Sequence, residues 1–190
     1  MRGRHSWAAA CHAILRGRRR SSSAGGPSGK GGALLAALGL RIVCARGSEA
    51  PAAAPAHESL SYERLHTVLP RADWLLLACP LSERTRGLVG AEALARMPAG
   101  ARLVNVSRGE VVDEPALIDA LRGGALSGGY LDVFAHEPLS ADSPLWDLPN
   151  VIVTPHTAGH SDGNEARVAG IFLDNLQRWM RGEPLLNRVA

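Results

Sequence analysis

Residues 102–133 read RLVNVSRGEVVDEPALIDALRGGALSGGYLDV. Two short apolar runs, Arg102–Val106 and Gly129–Val133, flank a helix expected over Glu114–Leu121. The runs are continuous rather than alternating, the pattern of strands buried on both faces of a parallel sheet. A strand, a helix and a second strand within about thirty residues make a βαβ unit with a right-handed crossover. The same alternation extends outward in both directions. Upstream, a helix over Ser61–Leu69 leads to a strand at Trp74–Ala78, and a helix over Gly90–Met97 leads back to Arg102. Downstream, Val151–Val153 reads as a strand followed by a long helix over Asp162–Arg181. Before them, Ala33–Leu38 reads as a helix end stopped by Gly39, Arg41–Ala45 as a short buried strand, and Ala52–Ala56 as a Pro/Ala-rich loop. The expected fold class is α/β, a parallel sheet with helices on both faces. In such sheets ligands bind beyond the carboxyl ends of the strands. The segments of interest are therefore Arg46–Ser48, Cys79–Leu81, Ser107–Gly109, Asp132–Glu137 and Thr154–Gly159.

The chain has 190 residues, 46% of them hydrophobic, enough to bury a core. Its net charge of +3 is uneven: residues 1–48 hold nine basic side chains and no acid, whereas residues 49–190 hold 12 basic against 18 acidic ones. The folded-looking part is acidic, so the basic balance does not describe a nucleic-acid surface. No apolar run reaches the ~18 to 20 residues a membrane span needs. Cys11, Cys44 and Cys79 are odd in number and scattered, which argues against a disulfide framework or zinc site and fits a reducing compartment. Residues 1–32 are expected to be a separate low-complexity basic segment and 33–190 the folded domain. The acid-free, Arg- and Ser-rich start also has the form of a mitochondrial transit peptide, the alternative to a cytoplasmic setting.

Arg108 follows a strand, with Gly109 placed to supply a turn. Its guanidinium suits a carboxylate held by two parallel hydrogen bonds; the plainer alternative is a surface pair with Glu110 or Asp113. Asp132 ends the next strand and Glu137 follows before Pro138. His156 sits behind Pro155 after the last strand. A carboxylate beside His156 favours its protonated form, as a general acid near neutral pH requires. The plain alternative for both is a solvated loop side chain, as for His136 and His160.

ADWLLLACPLSERTRGLVG, LVNVSRGEVVDEPALIDAL, GGYLDVFAHEPL and NVIVTPHTAG resemble, in order and spacing, the signatures of the D-isomer-specific 2-hydroxyacid dehydrogenases, over roughly residues 33–187. The resemblance implies a Rossmann-type NAD(P)-binding domain that transfers a hydride between NAD(P)H and a small 2-keto or 2-hydroxy acid of the glyoxylate/hydroxypyruvate type. It implies that Arg108 binds the substrate carboxylate, His156 protonates the keto oxygen, and Glu137 orients His156 and raises its pKa. It further implies cofactor contacts from Cys79, Pro80, Val106, Ser107, Arg108, Asp132, His156 and Gly159, and a homodimer, with neither nucleic acid nor membrane as partner and no metal. At the end of the second strand an acid favours NAD and an Arg accommodates the 2′-phosphate of NADP. Here Arg46, with Ser48 nearby, favours NADP over NAD.

Two departures shape the remaining expectations. Only 32 residues precede the domain where the family carries a substrate domain, so the apolar stripe Ala169, Phe172, Leu176 and Trp179, flanked by Ile171 and Met180, is expected to be partly uncovered. Counting back from Gly39 places the first strand and phosphate loop near residues 21–29, where SSSAGGPSG is neither an apolar strand nor a G-x-G-x-x-G loop. The first strand and loop are thus expected to be degraded. Either the terminus diverged, or a neighbouring reading frame, which turns TCN serine codons into NTC apolar ones, carries the missing fingerprint. Two further readings stay open: a non-catalytic remnant serving as a dimerising or binding module, and a basic arm for targeting or nucleic-acid contact.

Overall fold

The computed structural model describes residues 6–10, 35–47 and 56–188. The chain divides into two compact units, Met1–His156 and Thr157–Ala190. The first unit holds a parallel sheet of seven strands: β1 (Ser6–Ala10), β2 (Arg41–Arg46), β3 (Glu58–Ser61), β4 (Trp74–Leu77), β5 (Ala101–Asn105), β6 (Leu126–Leu131) and β7 (Val151–Val153). Their order is β3-β2-β1-β4-β5-β6-β7, every neighbouring pair parallel. The order reverses direction between β1 and β4, the switch point at which such sheets open a crevice.

The place of the first strand differs from the expectation. β1 is Ser6–Ala10, paired along Ser6–Ala10 with Arg41–Ala45 of β2 and along Trp7–Ala10 with Trp74–Leu77 of β4. Five residues of the segment expected to stand apart are thus a strand in the sheet's interior, and the first strand is present rather than degraded. A run of alanines has weak strand preference, which is why it passed unnoticed; ladders on both sides override that preference. The tract proposed for the phosphate loop and the frame shift lies outside the described residues.

Between the strands, short helices replace long ones. α1 (Ala91–Ala95) stops ahead of Pro98, and α2 (Glu114–Arg122) is the longest helix among the described residues of this unit. Asp113 caps α2, its carboxylate accepting the Ala116 N–H at 3.2 Å, and Pro115 sits in the first turn, where its missing N–H costs nothing. Leu117 and Leu121 are buried. Two buried leucines contribute about 3–6 kcal/mol against roughly 1 for the cap, so packing docks the helix and the cap sets where it begins. The expected Ser61–Leu69 helix is instead strand β3 followed by 3-10 turns at Tyr62–Thr67 and Leu69–Arg71.

Leu75 and Leu77 of β4, Leu103 of β5 and Leu126 and Leu131 of β6 form the centre of the core. Burial on both faces holds for β4 but not towards the β7 edge, where Ile152 is 62% exposed. Cys44 of β2 is disulfide-bonded and Cys79 is free and buried. The expectation that the scattered cysteines argue against a disulfide therefore fails at Cys44. The second unit, Thr157–Ala190, carries α3 (Asn164–Met180). Phe172, Leu176 and Trp179 of its expected apolar stripe are exposed, as are the flanking Ile171 and Met180.

Candidate active site

Because all seven strands are parallel, their carboxyl ends share one edge of the sheet. Arg46, Cys79, Ser107, Asp132 and His156 lie at or just beyond the ends of β2, β4, β5, β6 and β7.

The Arg108 loop is set by Asn105, the last residue of β5 and 2% exposed. Its side-chain carbonyl accepts the Ser107 N–H at 3.0 Å and the Ser107 hydroxyl at 2.6 Å, while its amide donates to the Arg108 carbonyl at 3.1 Å. A buried amide with both ends engaged holds the loop in one conformation. Arg108 donates Nη1 to the Ser107 carbonyl at 2.6 Å. It is not paired as the plain surface reading required: Glu110 faces Arg86 at 3.8 Å and Asp113 caps α2.

Gly109 has a different task from the turn assigned to it. A Cβ there would stand 1.8 Å from the Phe134 carbonyl carbon and 2.0 Å from its oxygen. No side chain fits, so the Arg108 loop and the Phe134–Ala135 backbone lie in direct contact. That second backbone leads to Glu137. The Ala135 N–H donates to Glu114 Oε2 at 2.9 Å, tying it to the first turn of α2.

Glu137 accepts the Phe134 N–H on Oε1 at 3.0 Å and faces His156 Nδ1 with Oε2 at 2.7 Å. Burial pushes the Glu137 carboxyl up. The hydrogen bonds from His156 and the Phe134 N–H, with the charges of His156 and Arg108, outweigh it and hold the pKa below the ordinary carboxylate range. Arg108 is thus close enough to act electrically on Glu137. His156 takes a left-handed backbone, φ 55, rare for a residue with a side chain, and its N–H donates to the Asp132 carbonyl at 2.8 Å. Asp132 is 1% exposed, and Thr154 Oγ1 lies 2.5 Å from its Oδ1 and 3.0 Å from the Tyr130 hydroxyl.

A cavity of about 420 Å³ opens between the ends of β4 and β5, lined by Cys79, Pro80, Val106, Ser107 and Arg108. Burial pushes the Cys79 thiol up, so it stays neutral there. Thr85, itself buried, donates to the Pro80 carbonyl at 2.8 Å and closes the loop beyond Cys79. Arg46 donates Nε to Ser59 Oγ at 2.8 Å at the end of β2, and no acid occurs in Arg41–Gly47. Cys79, Pro80 and Val106 beside a buried hydroxyl and a guanidinium at one end, with the Arg46 guanidinium at the end of β2, fit a nicotinamide dinucleotide in kind.

Of the expected residues, the structure brings Arg108, Glu137 and His156 to one place and Cys79, Pro80, Val106 and Ser107 to another beside it. Gly159 belongs to the second unit and Ser48 lies outside the described residues. Asn105, Glu114 and Thr85 were missed, Gly109 was read only as a turn, and Thr154 only as the start of a segment of interest. A polar residue ending an apolar strand, as Asn105 and Thr154 do, is the signal that could have found two of them.

Residues 29–158 match the family model of the D-isomer specific 2-hydroxyacid dehydrogenase, NAD binding domain. Among curated relatives, the (S)-sulfolactate dehydrogenase of Chromohalobacter salexigens is 48% identical over 116 residues, covering 61% of this chain and 38% of its own. Glyoxylate/hydroxypyruvate reductase B of Pectobacterium carotovorum is 44% identical over 119 residues, covering 63% and 37%. Among solved structures, a D-isomer specific 2-hydroxyacid dehydrogenase of Xanthobacter autotrophicus Py2 in complex with NADPH and MES superposes with a TM-score of 0.71 at 41% identity, covering 82% of this chain and 63% of that one. The NADPH-dependent glyoxylate/hydroxypyruvate reductase of Sinorhizobium meliloti, in complex with NADP and sulfate, gives a TM-score of 0.78 at 28% identity, covering 97% and 55%. The chain spans under half the length of these two curated relatives.

Proposed function

Because this chain belongs to the D-isomer specific 2-hydroxyacid dehydrogenases through their NAD binding domain, we propose that it binds NAD(P) along its strand ends and interconverts small 2-keto and 2-hydroxy acids of the glyoxylate/hydroxypyruvate kind. The observation that carries this reading is the 2.7 Å contact of Glu137 Oε2 with His156 Nδ1, with Arg108 near enough to lower the Glu137 pKa.

In this reading the Arg108 guanidinium grips the substrate carboxylate and orients the keto carbon. Glu137 accepts a hydrogen bond from the Nδ1–H of His156, which leaves Nε2–H to deliver its proton to the keto oxygen as negative charge grows there. The Glu137 carboxylate stabilises the imidazolium that holds that proton. Asp132, Cys79, Pro80, Val106 and Ser107 hold the nicotinamide end, and Arg46 the ribose end, with NADP preferred because a guanidinium neutralises a 2′-phosphate. When bound, the reduced nicotinamide supplies the hydride. A homodimer in the cytoplasm, without nucleic-acid or membrane partners, completes the proposal. A second reading, a non-catalytic binding module, draws on the short span relative to the curated relatives.

Titration calorimetry of the purified chain with NADPH and NADH separates the two. Saturable binding below about a millimolar, about −4 kcal/mol, is expected for a working coenzyme site, and weaker binding removes it. If glyoxylate is reduced, His156→Asn is expected to abolish turnover with coenzyme affinity nearly unchanged. Asn tolerates the left-handed backbone that His156 adopts, so lost turnover reports the missing acid rather than a distorted loop.

A further inference from the structure

Tyr130 and Thr154 have no part in the reading above, yet both are joined to a residue that has. Tyr130 lies in β6 and Asp132 just beyond it, two positions apart on extended backbone, so their side chains share one face of the sheet. The ladder pairs Tyr130 with Ile152 and Leu131 with Val153, which brings Thr154 level with Asp132. Main chain continues the contact past the strand: the Thr154 N–H donates to the Leu131 carbonyl at 3.0 Å and the His156 N–H to the Asp132 carbonyl at 2.8 Å. The side chains follow, with Thr154 Oγ1 at 2.5 Å from Asp132 Oδ1 and 3.0 Å from the Tyr130 hydroxyl.

A threonine hydroxyl has one proton to give, and a carboxylate can only accept. Thr154 therefore gives its proton to Asp132, and the lone pairs of its Oγ1 receive the O–H of Tyr130. The chain runs from the Tyr130 hydroxyl through the Thr154 hydroxyl to the Asp132 carboxylate. Each donor polarises the next, and the series ends on a side chain that is 1% exposed, where such bonds count for more than in water. Two hydroxyls in line thus aim the carboxylate and favour its charged form. The consequence is a negative charge fixed at the carboxyl end of β6. A reduced nicotinamide ring is neutral and an oxidised one is cationic, so a carboxylate beside the ring attracts one form and is nearly indifferent to the other.

We propose that Tyr130 and Thr154 are positioning residues that fix the Asp132 carboxylate and thereby tighten binding of the oxidised coenzyme relative to the reduced one. The proposal rests on the reading that the nicotinamide end of NAD(P) lies against Asp132. It assigns the balance between the two coenzyme forms to two hydroxyls that stand behind the residue meeting the ring. The same segment carries His156, whose backbone hangs from the Asp132 carbonyl, so the charge facing the coenzyme and the acid facing the substrate share one support.

The test is titration calorimetry on the whole chain with NADP+ and NADPH, repeated with NAD+ and NADH. Thr154→Val is expected to weaken NADP+ about tenfold, about 1.4 kcal/mol, while NADPH changes less than about twofold. Tyr130→Phe should act in the same direction, by about threefold on NADP+, because it removes only the outer hydroxyl. Thr154→Ser, which keeps the donor, is expected to keep the wild-type ratio of the two affinities. If Thr154→Val and Tyr130→Phe weaken both forms alike, the hydroxyls merely brace the strand ends and the proposal is refuted. An unchanged ratio in both variants refutes it as well. Should Thr154→Val fail to fold, Tyr130→Phe decides alone by the same ratio. Wild-type protein that binds neither form of either coenzyme overturns the dinucleotide reading itself, and the positioning role with it.

Discussion

Gly109 shows how little of this site is decided by the residues that carry charge. The 1.8 Å approach of a hypothetical Cβ to the Phe134 backbone cannot be relieved by a rotamer change, since the obstacle is main chain. Gly109→Ala is expected to push the two loops apart and destabilise the protein by about 1–3 kcal/mol, read as a lowered urea midpoint. A midpoint unchanged within error would mean the contact is looser than described. Glu137 sets a pH dependence of its own. Its folded pKa lies below the ordinary value near 4.5, so its contribution to stability is fully present above that value and fades as pH falls through the folded one. Urea midpoints between pH 6 and 3 are therefore expected to fall more steeply for the wild type than for Glu137→Gln. Arg108, Glu137 and His156 were legible in the sequence because their types and order are distinctive. Asn105 and Gly109 were not, because an amide and a missing Cβ gain meaning only from what lies opposite them.

Among the elements, the strands from β4 to β7 were readable to within a few residues, since each is a compact apolar run between polar turns. β1 and β3 were not. SWAAA has one bulky strand former, Trp7, among small residues, and ESLS alternates at the sheet's edge with polar residues. What makes them strands is the ladder of a neighbour, a property of the partner rather than of the segment. Helices erred in the other direction: the expected Ser61–Leu69 helix is met by 3-10 turns interrupted at Val68. α2 begins directly after the Arg108 loop, and its first turn, through Glu114, also anchors the Ala135 backbone. Asp113→Ala is expected to cost about 1 kcal/mol of stability, measurable as a shift in urea midpoint. An effect below about 0.3 kcal/mol would mean that packing of Leu117 and Leu121 alone sets where α2 starts.

At the scale of the whole molecule, the charge asymmetry and the sheet order bear on different questions. The basic excess of residues 1–48 raised the possibility of a nucleic-acid arm; the order β3-β2-β1-β4-β5-β6-β7 instead draws Ser6–Ala10 from that stretch into the sheet. Titration with a labelled DNA duplex at about 50 mM salt is expected to give no saturable binding. Tight binding that weakens steeply with salt would restore the arm as a functional element. The contact at Gly109 has a wider consequence. The spacing between the guanidinium of Arg108 and the acid pair Glu137–His156 is gauged by two peptide backbones pressed together, not by side chains reaching across a gap. Main-chain calipers of this sort do not change when the surrounding side chains are exchanged. Side chains around the two loops are thus free to diverge, while the interval between the positive and acidic jaws stays at its original setting.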